Sequence, residues 1–289
     1  MIDFSNITVV SVDGRAGEHI GVQCAIKHSM SQLPGSCGLL LSTHRPSHLL
    51  SGIAHQSIAA LGYLDYSLFV TYLLHQFIQT DFALIVQEDG WVLNGENWRD
   101  QYFKHDYIGA PTHFARLTSP AGAQYLRNYR WSQFYKTSSE RVTLDVVMNG
   151  GFSLRSLKLL KAPQMMGLDY VLPPPHLSSP ENKMHWDSDA HVEDVQLSIH
   201  MKHKLCEAGL SFSDYELAKQ FSIEHLDPVF HAGVNMSNLF GHHSKLRKIV
   251  SSSPLIVAYQ LREDQLSRIP GEHLFVETLR QLGYQVVFQ

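Results

Sequence analysis

The segment Phe82-Ala-Leu-Ile-Val-Gln-Glu-Asp-Gly-Trp91 constrains this chain more than any other. Five consecutive apolar residues end in Gln87, two carboxylates and a glycine. An apolar run of this length, bounded by turn residues, predicts a strand buried on both faces, as in the interior of a parallel sheet. Ligands of open α/β sheets bind outside the carboxyl ends of such strands, which is where Glu88 and Asp89 fall. Charged groups that close a buried strand are costly unless they meet solvent, a cation or a ligand. Two readings follow: a metal or polar-ligand site, or a solvated turn, which Glu-Asp-Gly also suits.

The residues before this segment extend the same pattern. Ile7 to Val12 is a β-branched run ending in Asp13-Gly14, a strand and turn. A helix is predicted from Glu18 to Gln32, then a second short strand from Gly38 to Ser42. Leu68, Phe69, Tyr72, Leu73 and Phe77 share one helical face between Asp65 and Gln79. Strand and helix in alternation predict an α/β fold with a mainly parallel central sheet flanked by helices. Further on, Asp106 to Pro111 predicts a short strand and tight turn, and residues 112 to 141 an aromatic- and arginine-rich excursion. That excursion is read either as packing inward or as covering a substrate.

Two later segments carry chemistry. In Asp145-Val-Val-Met-Asn-Gly-Gly-Phe-Ser-Leu-Arg155 an apolar strand is interrupted by Asn149, Gly150 and Gly151. Paired glycines in a strand mark a bulge or the close approach of a ligand, and a plain turn is the competing reading. Glu193 and Asp194 open a predicted helix that runs to about Leu205, where acids suit the positive end of the helix dipole. Yet Asp187, Asp189, Glu193 and Asp194 crowd into eight positions, more charge than a helix start requires. Residues 254 to 289 predict strand, helix and strand, either an appendage or the edge of the same sheet. The expected division is therefore 1–245 as the main domain and 246–289 as an extension of it.

Composition excludes several classes. A net charge of −4 gives no general attraction to nucleic acid or anionic membrane. Three widely spaced cysteines, Cys24, Cys37 and Cys206, support neither a disulfide framework nor a zinc ribbon, and fit a reducing cytoplasm. No apolar run approaches the roughly 18 residues of a membrane helix, and the amino terminus lacks a signal-peptide pattern. There is no GxGxxG or GxxxxGKS phosphate loop, no GxSxG elbow and no HExxH.

What remains is an ordered series: Gln87-Glu-Asp89, Asp106-Tyr-Ile-Gly-Ala-Pro111, Asn149-Gly-Gly-Phe-Ser-Leu-Arg155, Glu193-Asp-Val195 and Phe240-Gly-His-His243. The series resembles the nucleotide-sugar glycosyltransferases of the GT-A fold, and most closely a group of bacterial and viral glycosyltransferase-like proteins. The resemblance spans roughly residues 60 to 245, and the Asn-Gly-Gly-Phe-Ser-Leu-Arg segment is its most specific part. It implies a Rossmann-like GT-A sheet and a nucleotide-sugar donor, a UDP-sugar first. It also implies a divalent cation, Mn²⁺ or Mg²⁺, on Asp89, with His243 as a further ligand and His231 as a competing one. Gln87 stands where the family's usual Asp-x-Asp motif has its first acid, which keeps a metal-independent site open.

By the same resemblance the donor side comprises Gln87, Glu88, Asp89, Asn149, Gly150, Gly151 and Arg155. Asp194 is the expected general base of an inverting transfer, with Glu193 next. Arg127, Arg130 and Trp131 are expected on the acceptor side, where aromatics stack on rings and arginines pair with anionic groups. A glycan intermediate is the first expected acceptor and modified nucleic acid the second. A non-catalytic nucleotide- or sugar-binding protein on a degenerate scaffold is the alternative.

Overall fold

The computed structural model describes residues 3–132, 142–172, 174–178, 181–185 and 191–289. Its frame is a seven-stranded sheet. One half is parallel: β1 (Ile7–Asp13), β2 (Cys37–Ser42), β3 (Ile53–Ser57) and β4 (Phe82–Ile85), in the order β3-β2-β1-β4. All seven residues of β1 and the last three of β4 are buried, which their unbroken apolar sequence requires of interior parallel strands. Helix α1 (Ile20–Gln32) joins β1 to β2, and α2 (Tyr63–Tyr72) leads from β3 towards β4. The predicted helix over 65–79 is shorter than expected, because a 3₁₀ turn at Leu74–Phe77 closes it. Strand β3, with exposed polar positions and only Ile53 buried, lacked the apolar run that marks its neighbours.

Beyond β4 the chain makes a tight turn. Gln87 and Gly90 exchange backbone hydrogen bonds of 2.8 and 3.0 Å, which puts Glu88 and Asp89 at its tip. Short strand β5 (Gly90–Val92) follows. The expected short strand at Asp106–Pro111 and excursion after it are instead one long strand, β6 (Tyr107–Ser119), hairpinned to β7 (Gly122–Arg127). Past Thr112 burial in β6 becomes partial, which is why its residues lacked a buried-strand signature. Strand β8 (Thr143–Ser156) lies between β4 and β6 and is antiparallel to both, completing the order β4-β8-β6-β7. Five of the seven strands therefore run one way, β1 to β4 and β6, while β7 and β8 run against them. This is the expected α/β architecture, with a Rossmann-like parallel half.

The glycines of β8 do not end the strand. Gly109 pairs with Ser153 and Pro111 with Met148, so two steps along β6 face five along β8. The surplus bulges out at residues 149–152 and is closed by the Asn149 side chain, whose Oδ1 accepts the Phe152 N–H at 3.0 Å. The expected helix at Glu193 begins as a three-residue α-turn (Glu193–Val195). It then widens into a π-turn at Gln196–His200 and continues at Lys202–Glu207.

Outside the main sheet lie a hairpin of β9 (His176–Ser178) and β10 (Lys183–His185), and two three-stranded sheets. One contains β11 (Ser222–Ile223), β12 (Gly241–His243) and β5. The other contains β13 (Arg247–Ser252), β14 (Leu255–Tyr259) and β15 (Gln285–Phe288). The C-terminal strands are thus not the edge of the main sheet, yet Ile249, Val257, Tyr259 and Phe275 belong to the same apolar cluster as Val9, Leu84 and Trp91. Tyr284 accepts a hydrogen bond from Trp91 Nε1 at 3.0 Å and lies 2.8 Å from His28 Nε2 of α1. Burial holds His28 down to about 4, hence neutral.

Residues 246–289 are therefore expected to unfold with the rest. Tyr284→Phe strands two buried polar groups and should cost about 1–3 kcal/mol, in a single denaturant transition. A separate early transition for the C-terminal segment would disprove the shared core.

Candidate functional site

The turn after β4 is locked to β12 by register. His243 pairs with Gly90, His242 with Trp91 and Gly241 with Val92. Strand alternation then sends the two histidines to opposite faces. His242 packs edge-on to Trp91, with ring centroids 4.1 Å apart, and burial drives its basicity well down. His243 faces the turn, where its Nε2 lies 3.3 Å from Gln87 Oε1 and 3.5 Å from Asp89 Oδ1. Its Nδ1 is 3.7 Å from Glu224 Oε1. Burial opposes the imidazolium, but Asp89 and Glu224 outweigh it and push His243 up to about 10. The same contacts hold both carboxyls below their ordinary range against the burial that would raise them.

The bulge of β8 completes this cluster. Asn149 Nδ2 donates to Glu224 Oε2 at 3.1 Å and lies 3.2 Å from His243 Nδ1. A Cβ on Gly151 would come within 2.5 Å of His243 Nε2 and 2.6 Å of Gln87 Oε1. One on Gly150 would strike the ion pair of Arg155 and Glu193. Each glycine is therefore required by side chains of the site itself, and the expected approach of a ligand to this backbone is corrected accordingly. Gln87 is fixed from its other end as well, donating to Tyr66 Oη at 3.0 Å.

Arg155 and Glu193 are reassigned. Arg155 is wholly buried; it reaches Glu193 Oε1 at 3.2 Å and donates to Ser153 Oγ at 3.0 Å. It has no surface to offer a donor. Glu193, 4% exposed, is committed to that pair and lines neither cleft described below, so it is a structural anion rather than a second base. Asp194 differs from its neighbour: it is half-buried and opens on a cleft. Burial, then the nearby Glu193 and Glu224 carboxylates, push Asp194 well above the usual carboxylate range.

Two clefts meet here. The first, about 300 Å³, lies across the carboxyl ends of β1 and β4 and is lined by Asp13, Arg15, Gly62, Tyr66 and Gln87 to Asp89. Glu88 lines it while paired with Lys248 at 2.7 Å and Arg15 at 3.3 Å. Arg15 also grips Asp13 with two contacts of 2.8 Å. The second cleft, about 520 Å³, is lined by His113, Arg127, Asn128, Asp194, Glu224 and Lys245 among others. Tyr63, 64% exposed at the start of α2, lines both.

Of the expected acceptor-side residues only Arg127 reaches this second cleft. Trp131 is buried and stacked on Phe230, centroids 3.7 Å apart and planes at 10°, so it is core. Arg130 is exposed but does not line the cleft. His231 lines neither cleft, and its Nδ1 accepts the Asp227 N–H at 3.0 Å. Asp187 and Asp189, and residues 133–141 of the aromatic excursion, lie outside the described residues.

Glu224, Asp13, Arg15 and Tyr63 were not singled out from the sequence. Glu224 carried a short form of the β4 signal, an acid directly after the apolar Phe221-Ser-Ile223. Asp13-Gly14 after β1 carried the same signal and reads equally well as a turn.

Among the described residues no three His, Cys, Asp or Glu side chains surround one point as a metal cage. What does come together is His243 Nε2 with the Gln87 amide oxygen and an Asp89 carboxylate oxygen, and the imidazole and amide border the place that a Cβ on Gly151 would fill. This mixed O/N set suits Mn²⁺ or Mg²⁺ if a ligand's phosphates complete the shell.

Sheet order and site together define an α/β protein with a polar centre at the carboxyl ends of its parallel strands. The family described as Protein of unknown function (DUF5672) matches residues 63–243, and the chain belongs to it. Among solved structures the chain is similar to the galactosyltransferase LgtC in complex with donor and acceptor sugar analogs, at TM-score 0.45 and 12% identity over 95% of both chains. It is also similar to an active-site mutant of LgtC, at TM-score 0.45 and 11% identity over 95% of both chains. No curated protein matches the sequence. No helix among the described residues is long and apolar enough to cross a membrane.

The raised pKa of Asp194 makes a stability prediction. Unfolded, the carboxyl ionises near pH 3.9; folded, it holds its proton higher. The native state therefore binds the extra proton, and stability falls as pH rises from about 4 through the folded value. Asp194→Asn removes that penalty, so the variant should melt above the parent at pH 8 and level with it near pH 4. Asp194→Asn melting lower at pH 8 would mark the carboxylate as a structural partner instead.

Proposed function

We propose that this protein is a glycosyltransferase of GT-A type, moving a sugar from a nucleotide donor, a UDP-sugar first, to an acceptor hydroxyl. The observation that carries the reading is the convergence of Gln87, Asp89 and His243, two of which line the first cleft at the carboxyl end of β4. The motif series in which those residues occur supports it. The first cleft is the donor side: Asp13 and Gln87 face a nucleoside's hydroxyls, and Arg15 supplies a cation for a diphosphate. Bound at Asp89 and His243, with Gln87 beside them, a divalent cation would neutralise charge on the departing diphosphate. The second cleft is the acceptor side, and Tyr63 stands between them.

In the transfer, a bond forms between the acceptor oxygen and the anomeric carbon while the bond to the leaving phosphate breaks. The acceptor's proton passes to Asp194. A carboxylate held above its ordinary pKa is a stronger base once ionised, which favours proton uptake near neutral pH. The buried Arg155–Glu193 pair fixes the start of the turn carrying Asp194 while leaving Asp194 itself unpaired by it. Three free thiols, two of them exposed, suit a reducing compartment such as the cytoplasm.

The test uses two variants. In calorimetric titrations with nucleoside diphosphates and Mn²⁺, the parent should bind and Asp89→Asn should lose most of that binding while staying folded. Asp194→Asn should keep nucleotide binding and lose roughly 10²–10⁴-fold in transfer. Equal nucleotide binding by the parent and Asp89→Asn would overturn the donor assignment. Nucleotide binding without any donor turnover would favour a binding protein, the reading that the missing acid at Gln87 suggests.

A further inference from the structure

His19, at the start of α1, has a left-handed backbone, with φ 53° and ψ 34°. The other non-glycine residues with positive φ among the described residues are asparagines, Asn128 and Asn182, which suit that region. The His19 side chain is 2% exposed, and its Nε2 is buried without a hydrogen-bond partner among the described residues. Its side-chain hydrogen bond runs from Nδ1 to Asp13 Oδ2 at 3.0 Å. Burial would raise the Asp13 carboxyl, but hydrogen bonds from Arg15 and His19 hold it below its ordinary range. An ionised carboxylate only accepts, so Nδ1 is the donor. A residue with both a strained backbone and an unpaired buried nitrogen persists only where its surroundings over-determine it, and such residues gather at functional sites.

What His19 fixes is the anchor of Arg15. Asp13 Oδ1 accepts the Arg15 backbone N–H at 3.1 Å and its Nε at 2.8 Å, and Oδ2 accepts Nη2 at 2.8 Å beside the His19 contact. Arg15 Nη1 reaches across to Glu88 Oε1 at 3.3 Å. The arginine side chain is nonetheless 62% exposed, and it lines the first cleft. An exposed arginine left to itself samples many rotamers, and ordering it on binding weakens a ligand. We propose that His19 is a positioning residue of the first cleft, which holds the Arg15 guanidinium, through Asp13, ready for the phosphates of a ligand. That the ligand carries phosphates rests on the donor-side reading; the hold on Arg15 stands by itself.

Two substitutions separate this role from a purely local one. Asparagine and glycine both suit a left-handed backbone, but only asparagine keeps an N–H donor on the atom bonded to Cγ, where histidine has Nδ1. In NMR spectra of the full chain without ligand, the Arg15 Nε–H should be protected from exchange in the parent and in His19→Asn, and lose that protection in His19→Gly. In calorimetric titrations with uridine diphosphate and Mn²⁺, His19→Asn should stay within about twofold of the parent and His19→Gly should bind about tenfold more weakly, the scale of one charge-assisted contact. In an Arg15→Ala background His19→Gly should cost nothing further, because it acts through Arg15. Equal behaviour of His19→Asn and His19→Gly, or losses that add in the double variant, overturns the proposal. Diphosphate binding that depends on Asp89 but not on His19 sinks this proposal alone and leaves the donor reading intact. Arg15 protection that follows His19 as expected, in a parent that binds no diphosphate, upholds the hold on Arg15 and overturns the donor reading instead.

Discussion

His243, itself buried, sits between two half-buried carboxylates, and that arrangement is the constraint around which the rest of the molecule is organised. Asp89 and Glu224 come from different strand ends, and bringing both out of water demands a positive partner. In the metal-free protein the imidazolium supplies it from the centre, with a nitrogen for each acid; a divalent cation held at Nε2 would take the place of that proton. Several otherwise odd features then have one cause. Strand β5, three residues long, holds Gly90 opposite His243. The bulge in β8 exists at the point where Asn149 must reach both Glu224 and His243. Glycine follows at 150 and 151 because side chains of the cluster occupy the space any Cβ would need.

A second buried ion pair, Arg155 with Glu193, lies alongside and divides the labour. Removing either partner would leave an uncompensated charge in the core, so both residues are fixed by solvation energy whatever reaction occurs nearby. Their consequence for chemistry is indirect. The pair neutralises one acid of Glu193-Asp194 and leaves the other unneutralised in a poorly solvated place, with Glu224 also near. One carboxylate is thereby made structural and its neighbour basic by environment alone.

Much of this was legible in the sequence, and what was not has physical reasons. The unbroken apolar runs at Ile7 and Phe82 identify interior strands because parallel strands bury both faces, and the acid-glycine ends mark where they open. The bulge was legible from Gly150-Gly151, but its beneficiary was not, since spacing along one strand says nothing of which distant side chain needs the room. Trp131 and Arg155 were misplaced for a related reason. An arginine or tryptophan reads as a binding residue by type, while only tertiary packing reveals Phe230 against one and Glu193 against the other. β6 was underestimated because its outer half is only partly buried, so its pattern dissolves into mixed polar and aromatic residues.

The order in which the chain supplies its parts also separates the two clefts. The first is built mostly from the parallel half, at β1, the turn after β4 and the start of α2, and the strands that carry it are buried. The second cleft draws on β6, β7, β8 and the segments after β10, β11 and β12, where burial in β6 and β7 is partial and the strands pair antiparallel. Buried strands thus surround the cleft to which the proposed function assigns the donor. The cleft assembled from half-exposed strands can vary its rim residues at little cost to the core. Changes at rim positions such as Arg127 or the exposed Tyr63, which lines both clefts, would then alter a cleft's lining and leave the buried strands as they are.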